Sequence, residues 1–364
     1  MSELQDKGNK QDREMVMLDI NYLVFSGGGA AGVAFAGAIE ALSAEKTFSF
    51  DQIKAVAGAS IGAIAALVVA LNYSPKEAQE KIIQINLRQF QDGGNYLAQS
   101  YRLFSQYGRY EGQAIYQFIL SLINEKTGRD DPENVTFKDI KAMGFKDLFI
   151  VATKLYQSND IPTSKQMVFS RFKTPDSPVA AAILASAAAP AYFARVRLKK
   201  MNKGRYIFHP EGDIYNDGGL LNNYPINLFD LPEFFDQALY AKSVNPHTLG
   251  FVLRKTEQII DPEIKAIKRP IKDRDPNHYS KAILDSFLYQ LNHAGLDDME
   301  NLARSVQIDR LGVKLNDFNI TEETKKALMD SGKKAVQKYF RRRANEQPII
   351  AFPSKNRIKR GMAM

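Results

Sequence analysis

Gly58-Ala59-Ser60-Ile61-Gly62 is the stretch of this sequence best suited to nucleophilic chemistry. A serine flanked at this spacing by Gly58 and Gly62 fits a sharp strand-to-helix turn, because side chains at the glycine positions would collide with neighbouring backbone. A run apolar but for Lys54, residues 53–57, stands before it and an alanine- and leucine-rich run, residues 63–71, stands after it. That setting exposes a hydroxyl above a sheet edge. The same five residues also fit a core serine in a glycine-containing turn. Ser26-Gly27-Gly28-Gly29-Ala30-Ala31-Gly32 lies between a strand-like stretch and a helix start, where unpaired N–H groups and the helix dipole attract negative charge. It can receive a phosphate or an oxyanion. Asp217-Gly218-Gly219 follows another strand-like stretch and, taken alone, reads as a β-turn with an Asx-forming aspartate.

Two other chemistries compete for these residues. Gly27-x-Gly29-x-x-Gly32 satisfies the dinucleotide-binding fingerprint, which requires an acid closing the second strand. The nearby acid, Asp51, precedes that strand, and its end is occupied by Gly58-Ala59-Ser60. The order Ser60, Asp217 and then His247, His278 or His293 would suit an α/β-hydrolase triad, whereas His209 comes too early in the chain. No His-x-x-x-His, cysteine pair or calcium-loop pattern is present, and acid pairs such as Asp130-Asp131 and Asp297-Asp298 read as solvated faces. No metal ligand set is assigned.

The elements that must hold these residues alternate. Strands are expected at 20–25, 53–57, 147–153, 165–170, 192–198, 205–209, 248–253 and 305–309. Helices are expected at 32–44, 63–71, 74–87, 111–125, 136–143, 178–189, 279–304 and 321–340, with Ser74 and Thr321 as N-caps and Pro190 ending the alanine-rich one. Residues 91–112 read as a polar connection. Alternation of this kind points to an α/β fold with a mostly parallel central sheet flanked by helices. Residues 55–71 contain a single polar side chain, Ser60, but two glycines and a length at the bottom of the spanning range fit a core strand and buried helix rather than a membrane span.

The chain has 364 residues, 45% hydrophobic and 25% charged, a composition that excludes disorder, collagen and coiled coil. Without cysteine there is no disulfide framework, thiolate metal site or cysteine nucleophile. Residues 1–18 read as a polar segment without a Sec-type signal, 19–315 as the catalytic domain, and 316–364 as a C-terminal amphipathic helix and basic tail. From Lys333 onward there are ten basic residues against one acid, Glu346, so this segment carries +9 and the rest of the chain sums to −1 of the net +8. Arg341, Arg342 and Arg343 follow the apolar Leu328, Val336, Tyr339 and Phe340, and Lys355, Arg357, Lys359 and Arg360 form a second cluster. These are candidates for docking on an anionic membrane, and no nucleic-acid motif accompanies them.

The ordered blocks Gly27-Gly28-Gly29-x-x-Gly32, Gly58-x-Ser60-x-Gly62, Ala185-Ser186-x-Ala188-x-Pro190 and Asp217-Gly218-Gly219 together resemble the patatin-like phospholipase family. The resemblance spans residues 22–225. It implies a patatin-like fold, Ser60 as nucleophile, Asp217 as its dyad partner, the Gly27–Gly29 backbone as oxyanion hole, and a lipid acyl ester as substrate; because the sequence carries no metal-ligand pattern, no cofactor and calcium-independent hydrolysis are expected. It leaves room for a protein or small-molecule activator, and for a peripheral-membrane or secreted-effector setting. The family usually carries Arg or Lys where Ala31 stands, so a positive charge is missing here. A lipid-binding scaffold that kept the fold without the activity is the non-enzymatic alternative; intact Ser60 and Asp217 count against it.

Overall fold

A computed structural model describes residues 18–85, 89–92, 94–105, 108–201, 205–234, 244–259, 299–314, 317 and 319–345. Most of the helix expected at 279–304, together with His278, His293, Asp297-Asp298, the first seventeen residues and the cluster Lys355, Arg357, Lys359 and Arg360, lies outside these.

Four strands begin the architecture: β1 Tyr22–Phe25, β2 Ala55–Ala59, β3 Gly108–Tyr110 and β4 Asp147–Ser158. They are followed by β5 Ile161–Ser170, β6 Ala191–Phe193, β7 Val196–Lys200, β8 Tyr206–Phe208, β9 Asp213–Asn216, β10 Thr248–Arg254 and β11 Ser305–Asp309. Between them run α1 Ala34–Ser43, α2 Ile61–Ala70, α3 Pro75–Ile83, α4 Tyr96–Ser105, α5 Gln113–Thr127, α6 Phe137–Ala142, α7 Val179–Ala187, α8 Gly219–Asn222, α9 Met299–Ala303 and α10 Glu322–Asn345. The connection read as polar loop at 91–112 contains α4 and β3. Of the long helix expected at 279–304, the described part is α9.

The order β11-β10-β1-β2-β4 is parallel throughout. Its strands are buried on both faces, so they read as continuous apolar runs rather than alternating ones. Leu23, Phe25 and Val56 point into the larger core with α1, α2 and α7, while Val24, Ala55, Ala57 and Phe149 point to the other face against Tyr224, Ile226 and Phe229. The apolar run at 55–71 is β2, Ser60 and the wholly buried α2. No helix among the described residues is long and apolar enough to cross a membrane.

The register of β4 explains how the sheet makes a site. One edge of β4 pairs with β5 from Phe149 to Ser158. Its other edge pairs first with β2, up to Val151, and then with β9, from Thr153 to Leu155. Because a strand has only two edges, β9 occupies the lane that β2 vacates after Ala59, and it runs antiparallel to β4. The residue that follows β9 is thereby delivered towards the residue that follows β2. Those residues are Asp217 and Ser60.

The C-terminal helix is part of this body. Leu328, Val336, Tyr339 and Phe340 are buried in the larger core, and α10 lies across α1 at close range: a Cβ on Gly37 would stand 1.9 Å from Met329 O, and one on Gly332 would stand 2.0 Å from Ala34 O. The apolar stripe of this helix is thus buried against α1. Arg342 and Arg343 lie over the Tyr339 ring at 5.7 and 5.8 Å, with Arg343 donating to Tyr339 Oη, while exposed Arg341 donates to Gln337 O.

Candidate active site

Ser60 sits between β2 and α2 with φ 53 and ψ −128, a conformation that costs a non-glycine residue on the order of 1–3 kcal/mol. The surrounding contacts impose it. A Cβ on Gly58 would stand 2.2 Å from Gly62 O, and one on Gly62 would stand 2.4 Å from both Phe25 O and Ser26 O, so strand, turn and helix approach closely because both positions are glycine. Ser60 occupies the N-cap position of α2, whose N–H groups and dipole favour negative charge there.

Ser60 Oγ donates to Asp217 Oδ2 at 2.6 Å. Asp217 is buried, and its other oxygen accepts the Gly219 N–H at 2.7 Å. Burial pushes its carboxyl up to about 6, partly offset by the hydrogen bonds from Ser60 and Gly219. Its backbone is fixed on both sides: Asp217 N–H donates to Ala188 O at 3.0 Å, and Thr153 Oγ1 donates to Asp217 O at 2.9 Å. Gly218 lies against β4, where a Cβ would stand 2.1 Å from Val151 O.

Ser186 connects the two halves of the site. Its Oγ accepts the Ser60 N–H at 2.9 Å and donates to Val151 O at 2.6 Å, and its carbonyl accepts the Gly218 N–H at 3.1 Å. The Ala185-Ser186-x-Ala188-x-Pro190 block thus supports both Ser60 and Asp217 through Ser186 and Ala188, with exposed Pro190 in the turn after α7. The block was legible as a pattern. The role of its serine was not, because nothing local links it to Ser60, 126 residues earlier.

The glycine loop lies against the same centre: a Cβ on Gly27 would stand 3.2 Å from Ser60 Cβ. Gly32 packs under Ile61, whose side chain a Cβ there would meet at 2.4 Å. One expected donor is corrected. The Gly27 N–H is bonded to Asn223 O at 2.9 Å and so is engaged within the fold, whereas the N–H groups of Gly28 and Gly29 have no acceptor among the described residues. Ala31 is fully buried among core residues, so its position supplies neither charge nor a polar contact.

The alternative chemistries fit less well. His247 precedes β10 and bonds the Asp19 carbonyl at 2.8 Å, at the end of the parallel sheet opposite Ser60, which excludes it from a triad. His209 accepts from the Glu211 N–H. Asp51 stands before β2, away from the glycine loop at the other end of the strand, as a dinucleotide site would not have it. Among the described residues no group of three His or acidic side chains is placed to hold a metal. A cleft of about 320 Å³ on the second sheet face is lined by Phe149, Val168, Phe172, Leu228 and Phe234, and neither Ser60 nor Asp217 lines it.

Comparison with known proteins matches residues 23–230 to the family model described as patatin-like phospholipase. A relative from Acanthamoeba polyphaga mimivirus, uncharacterized protein R571, is 30% identical over 61% of this chain and 65% of its own length. Probable lipid hydrolase 463L of invertebrate iridescent virus 6 is 24% identical over 57% of this chain and 62% of its own. The chain thus spans under two thirds of each of these two relatives. Among solved structures, VipD from Legionella pneumophila superposes with a TM-score of 0.55 at 17% identity, covering 89% of this chain and 67% of that one. That likeness shows a shared fold.

Proposed function

The chain belongs to the patatin-like phospholipase family, and from that premise we propose that it is a lipid acyl hydrolase of the phospholipase A or lysophospholipase type, cleaving carboxylic esters of glycerophospholipids through Ser60 and Asp217. The observation that carries this reading is the 2.6 Å contact between Ser60 Oγ and the buried Asp217 carboxylate. An ordinary aspartate near pKa ~3.9 is a weak base. One raised to about 6 by burial is better matched to taking a proton near neutral pH.

Ser60 Oγ attacks the ester carbonyl as Asp217 accepts its proton, and the negative charge moves to the carbonyl oxygen. The Gly28 and Gly29 N–H groups, together with the N-terminus of α2, are the donors available to stabilise it. Collapse of this intermediate breaks the ester bond, the proton on Asp217 passes to the departing alkoxide, and acyl-Ser60 remains. Water, deprotonated by Asp217, then attacks the acyl carbon, the bond from that carbon to Ser60 Oγ breaks, and the proton on Asp217 returns to Ser60 Oγ as the fatty acid leaves. A single oxyanion donor in such a site contributes roughly 2.7–4 kcal/mol to lowering the barrier. With buried Ala31 in place of a basic residue, recognition of the phosphate end falls to other groups.

The test is fatty-acid release from mixed phospholipid vesicles by the wild type, Ser60→Ala and Asp217→Asn, with and without cell extract and with and without chelator. Release by the wild type, reduced on the order of 10³-fold or more by either substitution, is expected. Release dependent on extract would identify an activator requirement. Chelator is expected to change nothing. Undiminished release by Ser60→Ala would overturn the dyad.

A further inference from the structure

Asn223 follows α8 and stands six positions after Asp217, yet it faces the glycine loop at the other side of the site. Its carbonyl accepts the Gly27 N–H at 2.9 Å, and its Nδ2 donates to Gly27 O at 3.4 Å. Ser26 Oγ also donates to Gly27 O at 3.0 Å while accepting the Leu253 N–H. The peptide groups around Gly27 are therefore held at both polar ends, and the next two N–H groups have no acceptor among the described residues. The Asn223 side chain fills the space between the two loops: its Oδ1 lies 2.2 Å from where a Gly27 Cβ would stand and 2.6 Å from where a Gly219 Cβ would stand. The latter point is also 2.9 Å from Asp217 Oδ1. Asn223 itself is anchored from behind, since neighbouring Tyr224 is buried with its hydroxyl 2.7 Å from Ser305 Oγ, and Asp230 pairs with buried Arg304 at 2.6 Å.

We propose that Asn223 is a positioning residue that holds the glycine loop at a fixed distance from the Ser60–Asp217 pair, so that the Gly28 and Gly29 N–H groups remain aimed at the reacting carbonyl. This rests on the proposed hydrolase reading. The amide is suited to the role because it is neutral. A carboxylate of the same shape would lose the donor to Gly27 and place a second negative charge beside Asp217 and the developing oxyanion, raising the pKa of Asp217 further.

The test compares Asn223→Ala with Asn223→Asp in the full chain, reading hydrogen exchange at residues 26–30 by mass spectrometry and kcat and KM for ester release. Exchange in α5 serves as the control for folding. Asn223→Ala is expected to speed exchange at Gly27, whose N–H is bonded to Asn223 O, about tenfold and to lower kcat about tenfold, with KM within twofold. Asn223→Asp, although isosteric, is expected to lower kcat further and to move the acid limb of the pH profile upward. A mere space-filler would give the reverse order, with Asp closer to wild type than Ala, and that result would overturn the proposal, as would unchanged exchange in Asn223→Ala. Should the alanine variant not fold, Asn223→Asp alone carries the test through its pH profile. If the wild type releases no fatty acid from any ester, the hydrolase reading fails while the exchange result still decides what Asn223 holds.

Discussion

Asp217 is where burial becomes both an advantage and a cost. With its carboxyl raised to about 6, the base form that the proposed mechanism requires is lost below that pH, so kcat/KM is expected to fall about tenfold per unit under pH 6 and to level off above it. A profile flat down to pH 4 would contradict this. The same shift has the opposite sign for stability. Between about pH 4 and 6 the folded state binds more protons than the unfolded state, so stability falls as pH rises through this window, by on the order of 2–3 kcal/mol for the shift given. Asp217→Asn is therefore expected to melt above the wild type at pH 8 and to converge with it near pH 4, as thermal scans at the two pH values would show. Ser186→Ala removes the acceptor of the Ser60 N–H and a bond to Val151 O, and is expected to cost about 1–3 kcal/mol in denaturant titration and to lower kcat while Asp217 stays intact.

At the scale of elements, the site depends on backbones that touch. The approach of Gly58 to Gly62 O is between main-chain atoms that no side-chain rotation can relieve. Gly58→Ala is expected to lose about 1–3 kcal/mol or more and to abolish labelling of Ser60 by a fluorophosphonate, measured on protein that remains folded at low temperature. The β9 lane argument makes a parallel point. Asp217 reaches Ser60 because β9 ends where β2 ends, so the Ser60–Asp217 contact is a property of strand register and not of any local loop preference.

Across the whole molecule, α10 decides where the chain can be shortened. Its residues Leu328, Val336, Tyr339 and Phe340 belong to the core beneath α1, so a cut at Lys333 would open that core and would not isolate a basic tail. Removal of residues 346–364 is expected to leave the melting temperature within about 2 °C of the full chain, whereas removal of residues 321–364 is expected to give insoluble protein. If the basic residues at 355–360 dock on anionic lipid, the shorter cut abolishes vesicle binding that high salt also weakens. Binding unchanged by that cut would assign docking elsewhere.

Much of this was determined by the sequence alone. The glycine loop, the Ser60 elbow and the Asp217 turn announce themselves by spacing because tight turns and close backbone approaches admit few residue types, and β1, β2 and α2 are legible because strands and helices buried on all sides must be continuously apolar. Thr321 and Ser74 cap the helices they were expected to cap, for the equally local reason that a side-chain oxygen satisfies the first N–H groups. Other facts have no local signal. That the Gly27 N–H has an acceptor while the Gly28 N–H has none among the described residues, that Ser186 supports Ser60 and that Asn223 separates two loops all depend on contacts across more than a hundred residues. The stripe on α10 has the same pattern whether it faces lipid or protein; only its packing against the small residues of α1 decided between them, because apolar burial has no direction until the partner is in place.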